Sequence, residues 1–252
     1  MGTLLNRRRY MGGGSADEII MTSITNPEVL AVCYAQGWCA DASYMTKSEA
    51  EAVTDIGTAF QSNTSVTHFD EFQYFTNVTA LVANAFNGCT ALSSLILPPS
   101  VTRIGSNCFV GCPFEDLDLS SITTISLASF NNVWLIYPWL PLVTRTGSSS
   151  WNTAAFHNCS KLVGIRFDSI TDLGALVYVS SARYMVVTTA SVPTGVNPSR
   201  WPATVYVRDE LVTQYQGATN WSTKTIKGLS SLPEDDPDCP WISDLRDKGL
   251  IV

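Results

Sequence analysis

A pattern of apolar, small and polar positions recurs through the middle of the chain. Residues 78–89 read VTALVANAFNGC, and residues 101–112, 23 positions further on, read VTRIGSNCFVGC. Residues 122–133 (ITTISLASFNNV) and 155–159 (AFHNC) repeat it, and residues 169–174 (SITDLG) begin a fifth copy that lacks the phenylalanine. Self-similarity at a fixed period of a few tens of residues is typical of solenoids, in which each repeat stacks on its neighbours.

Two slots of the repeat restrict the type of residue that they accept. Two positions after each phenylalanine stand Gly88, Gly111, Asn132 and Asn158. Glycine and asparagine tolerate a positive φ, so this slot predicts a left-handed turn. The next slot holds Cys89, Cys112, Val133 and Cys159. Since cysteine exchanges with valine here, we interpret the slot as a small buried packing site and not as a ligand or redox centre.

Short apolar alternations separate the copies and predict strands. They are Leu95–Leu97, Leu117–Leu119 and Ile165–Phe167. Each copy therefore predicts one short strand followed by a tight coil, and stacking gives the copies a continuous core.

The segments on either side of the repeats predict caps for the two ends of the solenoid. Residues 26–37 predict a helix with Asn26 as its cap and Pro27 at its first position, and a second helix begins at the capping box Thr46–Glu49. On the other side, Thr204–Val207 predicts a strand and 208–221 a helix. Caps of this kind cover the apolar ends that a stack of repeats would otherwise expose.

The last part of the chain combines an acidic stretch with an apolar tail. Residues 233–238 read PEDDPD, which predicts a solvated linker, and 241–252 predict a short amphipathic helix. Whether this tail docks on its own body or on a neighbouring copy stays open. The resulting division is an N-terminal anchor (1–15), a helical N-terminal cap (16–77), repeats (78–190), a C-terminal cap (191–230), and the acidic linker with its tail helix (231–252).

The repeat resembles the BspA-type leucine-rich repeat, whose units look like LPxSVTxIGxxAFxGC. Residues 97–112 read LPPSVTRIGSNCFVGC and match it almost throughout. The resemblance covers residues 78–174, apart from an insertion at 134–150. It implies an α+β fold, a short-strand leucine-rich-repeat solenoid with a helical N-terminal cap and a strand–helix C-terminal cap. Such repeats are common in surface and adhesive proteins of gut Bacteroidales and occur in proteins of their phages, and the resemblance implies a scaffold without catalytic residues.

Composition and charge narrow the classes of function. Charged residues make up 15% of the 252 residues, the net charge is −7, and the pI is about 4.7. An acidic body of this kind argues against binding nucleic acid, which needs a basic face. Residues 119–144 carry no charge, but their many Ser, Thr and Asn residues and two prolines argue against a membrane span. Only two histidines are present, and the acidic run lacks the spacing of a calcium loop, so we expect no cofactor and no metal.

Two sets of residues are candidates for contact with partners. The first is the N-terminal cluster, expected to anchor the chain in an assembly through charge pairing: Arg7, Arg8, Arg9, Tyr10, Gly12, Gly13 and Gly14. The second is the aromatic insertion, which offers a sugar platform, a protein contact or a filling for a degenerate repeat core: Trp134, Tyr137, Trp139 and Trp151.

These observations lead to a hypothesis about function with one main alternative. The start of the chain has three arginines followed by glycines and no apolar stretch, so it predicts no export signal. Together with the resemblance, this favours a non-enzymatic phage virion protein, a fibre or decoration subunit. Its N-terminus would contact capsid or tail proteins, and its body, a homo-oligomer such as a trimer, would face the host surface.

The alternative is a bacterial cell-surface adhesin that binds host proteins or glycans. An enzyme such as a glycan depolymerase would need paired carboxylates, which the regular repeat does not supply.

Overall fold

The computed structural model describes residues 17–146, 155–173, 182–195, 199 and 201–252. In chain order the strands are β1 (Ile19–Thr22), β2 (Tyr44–Thr46), β3 (His68–Phe69), β4 (Ala80–Leu81), β5 (Ser94–Leu95), β6 (Arg103–Ile104), β7 (Thr124–Ile125), β8 (Trp139–Leu140), β9 (Arg145–Thr146), β10 (Gly164–Phe167), β11 (Asp172–Leu173), β12 (Tyr184–Val187), β13 (Thr194–Gly195), β14 (Thr204–Val207) and β15 (Thr225–Gly228). The α-helices are α1 (Pro27–Ala35), α2 (Lys47–Ala52), α3 (Val212–Gly217), α4 (Leu232–Asp235) and α5 (Ile242–Asp247). The strands from β3 onwards pair in parallel, as expected when each turn of a solenoid stacks on the one before.

The parallel strands form two ladders. The front ladder consists of the β3–β5 pair and a five-stranded sheet in the order β8–β10–β12–β14–β15, and the side ladder consists of β4–β6–β7 and β9–β11–β13. In the side ladder Leu81 pairs with Ile104, which in turn pairs with Ile125, and all three side chains are buried. Equivalent slots of successive turns therefore lie against each other, and the molecule is a parallel β-solenoid with a few short helices at its ends.

The repeat phenylalanines form a continuous stack inside the solenoid. Their ring centroids are 5.4 Å apart between Phe60 and Phe86, 5.7 Å between Phe86 and Phe109, 5.4 Å between Phe109 and Phe130, and 5.0 Å between Phe130 and Phe156. These separations are close to the spacing of neighbouring strands, which is about 4.7–4.9 Å. Phe60 thus belongs to a turn of the same stack, although it lies within residues 16–77, which the sequence pattern assigns to the cap. The other predicted boundaries stay predictions.

The slot that accepts glycine or asparagine is left-handed in the structure. The φ angle is 78° at Gly88 and Gly111 and 57° at Asn132 and Asn158. The slot after it is buried, and its cysteines also donate hydrogen bonds: the thiol of Cys112 lies 3.2 Å from the carbonyl oxygen of Phe86, in the preceding turn. Each described cysteine is buried.

The two helices predicted near the N-terminus are present as α1 and α2, and the antiparallel pair of β1 and β2, which the sequence pattern does not predict, lies beside them. The Thr46 side chain accepts the Glu49 N–H and the Glu49 carboxylate accepts the Thr46 N–H, which completes the capping box of α2. Asn26 precedes α1 but its side chain does not cap the helix. Its amide instead donates to Glu71 Oε2 at 2.9 Å, because the buried Asn26 side chain faces the first turn of the solenoid.

Some predicted elements differ in extent. The run Leu117–Leu119 keeps its alternating burial but forms no strand, and the Asp118 carboxylate accepts the Ser120 N–H at 2.8 Å, which competes with an extended pairing. The helix predicted over 208–221 divides into a 3₁₀ turn (Asp209–Leu211) and α3, which ends at Gly217. Strand β15, which the sequence pattern does not predict, extends the front ladder.

Candidate functional site

The outward face of the front ladder, called the front face here, has an open part and a covered part. The core lies behind the front ladder, and the side chains at alternate positions point outward. On the strands β8 to β14 the outward face is covered by the C-terminal segment, residues 229–252. Beside it, around β5 and residues 115–118, the described residues leave the face open.

The open part forms a groove with apolar walls and carboxylates, called the front groove here. It consists of two depressions of about 830 Å³ and 720 Å³ that share residues 115–118. The first is bordered by Ile96 and Trp134, and the second continues to Trp139 and to Trp241 of the C-terminal segment.

Trp134 is the most accessible aromatic side chain of the front groove. Its side chain is 44% exposed, and the Lys161 ammonium lies 4.3 Å from its ring centroid. Lys161 also forms an ion pair with Glu115. The indole ring therefore lies beside a charge pair on the surface and is not used to fill the repeat core.

Tyr137 and Trp139 line the second depression of the front groove and also pack against the C-terminal segment, so their part in a contact with partners stays a prediction. The ring of Tyr137 contacts that of Trp241 edge to face at 5.6 Å, and the Trp139 ring is half-buried beneath the Arg166 guanidinium, 5.0 Å away. The C-terminal segment contacts both rings because they are the apolar surface on which it packs. Trp151 and the anchor residues Arg7 to Gly14 lie outside the described residues.

Arg166 is the central charge of the covered part. Its side chain is fully buried, its Nε donates to Asp168 Oδ1 at 2.8 Å, and its Nη1 lies 2.6 Å from Asp244 Oδ2 in α5. Burial alone would raise the pKa of Asp168, but hydrogen bonds from Arg166 and Thr188 hold that pKa below its ordinary value. The ion pair with Asp244 connects the front ladder to the tail.

The acidic stretch is docked and is not a solvated linker, which corrects the prediction. Asp236 is buried and accepts hydrogen bonds from the Tyr184 hydroxyl at 2.6 Å and the Tyr137 hydroxyl at 3.1 Å. Asp235 accepts from the Tyr206 hydroxyl at 2.5 Å. Burial and the Asp236 carboxylate raise the pKa of Tyr137 to about 12, which keeps its hydroxyl protonated as a donor. The tail therefore docks on its own body, the question that the sequence left open.

The sequence pattern missed the carboxylates of the front groove. Asp116 and Asp118 stand on either side of Leu117, alternating with the apolar positions of the predicted run Leu117–Leu119, a signal that could have placed both on the outward face. Arg166 gave a similar signal, since it interrupts an apolar strand. In the described part of the chain, no group of three His, Cys, Asp or Glu side chains is placed to hold a metal ion. No described helix has the length and apolar character needed to cross a membrane.

Comparison with protein families identifies the repeat. The BspA type leucine rich repeat region matches residues 54–183 in six copies, just over half of the chain. The chain belongs to the BspA-type leucine-rich repeat family. The match begins before residue 78, in agreement with the place of Phe60 in the stack. The structure is accordingly a leucine-rich-repeat parallel β-solenoid of about six turns.

Two internalins from Listeria monocytogenes strain 4b F2365 resemble this BspA-type repeat protein among solved structures. Internalin InlF is 14% identical, with a TM-score of 0.25 over 83% of this chain and 72% of that one. Internalin C2 (InlC2) is 15% identical, with a TM-score of 0.22 over 70% of this chain and 93% of that one. No curated protein matches the chain.

Proposed function

We propose that this BspA-type repeat protein is a non-enzymatic binding protein of the bacterial cell surface, which contacts proteins or glycans of another surface through its front face. The observation that carries the proposal is the front groove. Trp134 and Ile96, 44% and 43% exposed, lie there beside carboxylates on a rigid, regular scaffold. Exposed aromatic and apolar side chains gathered in a concavity mark interaction sites more often than single exposed ones.

The virion hypothesis rests on the first residues of the chain and on the resemblance. Neither the described residues nor the comparisons add support to it, and a repeat family common in surface proteins favours the adhesin alternative. The virion hypothesis is therefore kept as one possible result of an experiment that locates the protein.

That experiment is mass spectrometry of washed host surfaces and of density-purified phage particles from the source culture. Recovery from uninfected cells supports the proposal, and recovery in fixed stoichiometry from particles alone would overturn it.

Binding through the front groove has its own test. Fluorescently labelled protein is applied to mucosal cells and to bacterial cells, and the bound fraction is measured by flow cytometry. We expect Trp134→Ala to lower the binding affinity about thirtyfold, since an exposed aromatic side chain at the centre of a contact contributes on the order of 2 kcal/mol. The matched control is Tyr34→Ala, because Tyr34 is 50% exposed but lies on α1, outside the groove. Equal binding by the two variants would exclude the groove as the contact.

A further inference from the structure

The front face holds its own cations in one recurrent arrangement. In each case a cationic side chain lies over an indole ring and also pairs with a carboxylate, an arrangement in which the ring quadrupole and the negative charge both attract the cation. In the part of the chain that the structure describes, the three cases are Lys161 with Trp134 and Glu115, Arg166 with Trp139 and Asp168, and Lys248 with Trp139 and Asp244.

The open groove adds two carboxylates that, among the described residues, pair with no cation. Asp116 and Asp118 are exposed there, between the apolar side chains of Ile96 and Trp134. The Asp118 carboxylate accepts only a backbone N–H, from Ser120, among the described residues. Glu115 is the member of this group that already has a cation, Lys161. The groove therefore combines an apolar surface with two carboxylates that lack positive partners.

The covered part of the same face shows how a peptide lies on it. The C-terminal segment packs apolar side chains on the front ladder while its charged groups pair with Arg166 and with tyrosine hydroxyls. The front groove lies directly beside the C-terminal segment, because Pro240 and Trp241 of that segment form one wall of the groove. The groove is thus continuous with a surface that already accommodates a peptide segment.

We propose that the front groove binds an arginine- or lysine-bearing peptide segment of a protein partner. The proposal rests on the proposed function and names its ligand class. The two carboxylates attract a cation, and the exposed apolar area of Trp134 and Ile96 contacts the aliphatic stem of that side chain. A neutral glycan would stack on Trp134 and donate hydroxyl hydrogen bonds to the carboxylates but would lack the attraction between opposite charges, and the carboxylates repel a nucleic acid.

The test uses the full chain and two labelled peptides that differ only in charge. One is a nonapeptide with three arginines and one tyrosine in a glycine–serine background, and the other has citrulline, which is neutral and of similar shape, in place of each arginine. Fluorescence anisotropy at low salt measures affinity. We expect the arginine peptide to bind about tenfold more tightly than the citrulline peptide, and this preference to decline at 0.5 M salt as the charges are screened. Equal affinities of the two peptides would overturn the proposal.

Variants then locate the site. D116N/D118N should lower the affinity for the arginine peptide about fivefold. This is the loss expected from removing two exposed ion pairs, each of which contributes little. The control D238N/D247N removes two exposed carboxylates outside the front groove and should leave affinity unchanged. Equal losses in both double variants would show attraction to the acidic body as a whole and would overturn the assignment to the groove. Because all four residues are exposed, urea unfolding should show the same midpoint for both double variants.

The chain itself carries three arginines at 7–9, so R7Q/R8Q/R9Q is included. Unchanged affinity in this variant supports a partner's segment as the occupant, and a tenfold gain would assign the groove to the chain's own arginines instead.

Failure of the ligand class and failure of the proposed function give different results. Loss of cell binding in Trp134→Ala together with no preference for arginine overturns only the ligand class. Arginine-specific binding without adhesion to any surface overturns only the proposed function.

Discussion

At the scale of single residues, the slot after the repeat phenylalanine shows how a backbone angle selects residue type. A left-handed φ brings the Cβ of an ordinary L-residue close to a carbonyl oxygen, a strain that glycine lacks and asparagine tolerates better than most residues. The first two copies have glycine at a φ of 78°, and the next two have asparagine at a φ of 57°. At Gly111 the backbone angle and not a lack of space favours glycine, because a Cβ there would meet no atom of the surrounding residues within 4 Å.

Substitution of Gly111 tests this explanation. We expect Gly111→Ala to lower the free energy of unfolding by about 1–2 kcal/mol, the cost of a left-handed L-residue, and Gly111→Asn to cost roughly half as much. Urea unfolding measures both. Gly217, where a Cβ would also meet no atom but φ is not positive, is the control, and Gly217→Ala should cost nothing. If Gly111→Ala is as stable as Gly111→Asn, backbone strain does not explain the slot.

At the scale of elements, the short strands depend on the aromatic stack behind them. Two-residue strands make few hydrogen bonds each, so the turns are held together mainly by burial of side chains in the shared core. Phe109 lies in the middle of the stack, between Phe86 and Phe130, and also meets Phe114 edge to face at 5.5 Å. Its removal would open a cavity that touches three turns.

We therefore expect Phe109→Ala to lower the free energy of unfolding by about 3–5 kcal/mol and Phe109→Leu by roughly half as much. Because neighbouring turns of a solenoid are coupled through their interfaces, the alanine variant should also unfold less cooperatively, with a smaller dependence of the free energy on urea concentration. A loss below 1 kcal/mol for Phe109→Ala would mean that the stack contributes little to the coupling of the turns.

The elements differ in how far the sequence could predict them. The repeat slots were predictable because each is defined by one local property, a positive φ or a small buried volume, that recurs at a fixed offset. The docked acidic stretch was not, because its burial depends on Tyr137 and Tyr184, which are 99 and 52 residues away from Asp236. The front groove was predicted only in part: Trp134 was named, but Ile96 and Asp116 join it through the stacking of turns.

At the scale of the whole molecule, the C-terminal segment closes the front face through one buried charge cluster. Arg166 has no exposed surface and its charge is balanced by Asp168 and Asp244. Removing one partner of a buried ion pair destabilises a protein by more than the intact pair stabilises it, because the remaining buried charge then has no opposite charge beside it. The cluster therefore makes docking of the tail sensitive to the ionisation of its carboxylates.

A low pH should weaken the charge cluster that holds the C-terminal segment on the front face. The pKa of Asp168 lies below 3.8 in the folded protein, so its stabilising effect is complete above pH 3.8 and is lost as the pH falls through the folded value. We expect Asp168→Asn to destabilise the protein by about 3 kcal/mol at pH 7, and this difference to shrink below pH 3.8 as the wild-type carboxyl protonates. Urea unfolding from pH 7 to pH 2.5 measures it. Asp247→Asn, at an exposed position, should show no difference at any pH, and a constant gap for Asp168→Asn would contradict the linkage.

The docking of the tail itself can be tested with a pair of neighbouring aspartates that differ in burial. Asp236 is buried and accepts two tyrosine hydroxyls, whereas Asp238 is exposed. Asp236→Asn removes the charge that strengthens both hydrogen bonds, so the docked state should lose about 1.5 kcal/mol relative to an opened one. Amide exchange in residues 229–252, followed by mass spectrometry at pH 7, should then become about tenfold faster, since each 1.4 kcal/mol is a factor of ten.

The same measurement on the repeats separates local from global effects. Exchange around the buried strands of the side ladder should not change in Asp236→Asn, because opening of the tail leaves the phenylalanine stack intact and stability need not be uniform across a structure. Asp238→Asn should exchange like the wild type throughout. Faster exchange in both variants would show that total negative charge governs the tail. Faster exchange in the tail and the repeats of Asp236→Asn alike would show that the C-terminal segment and the solenoid unfold as one unit.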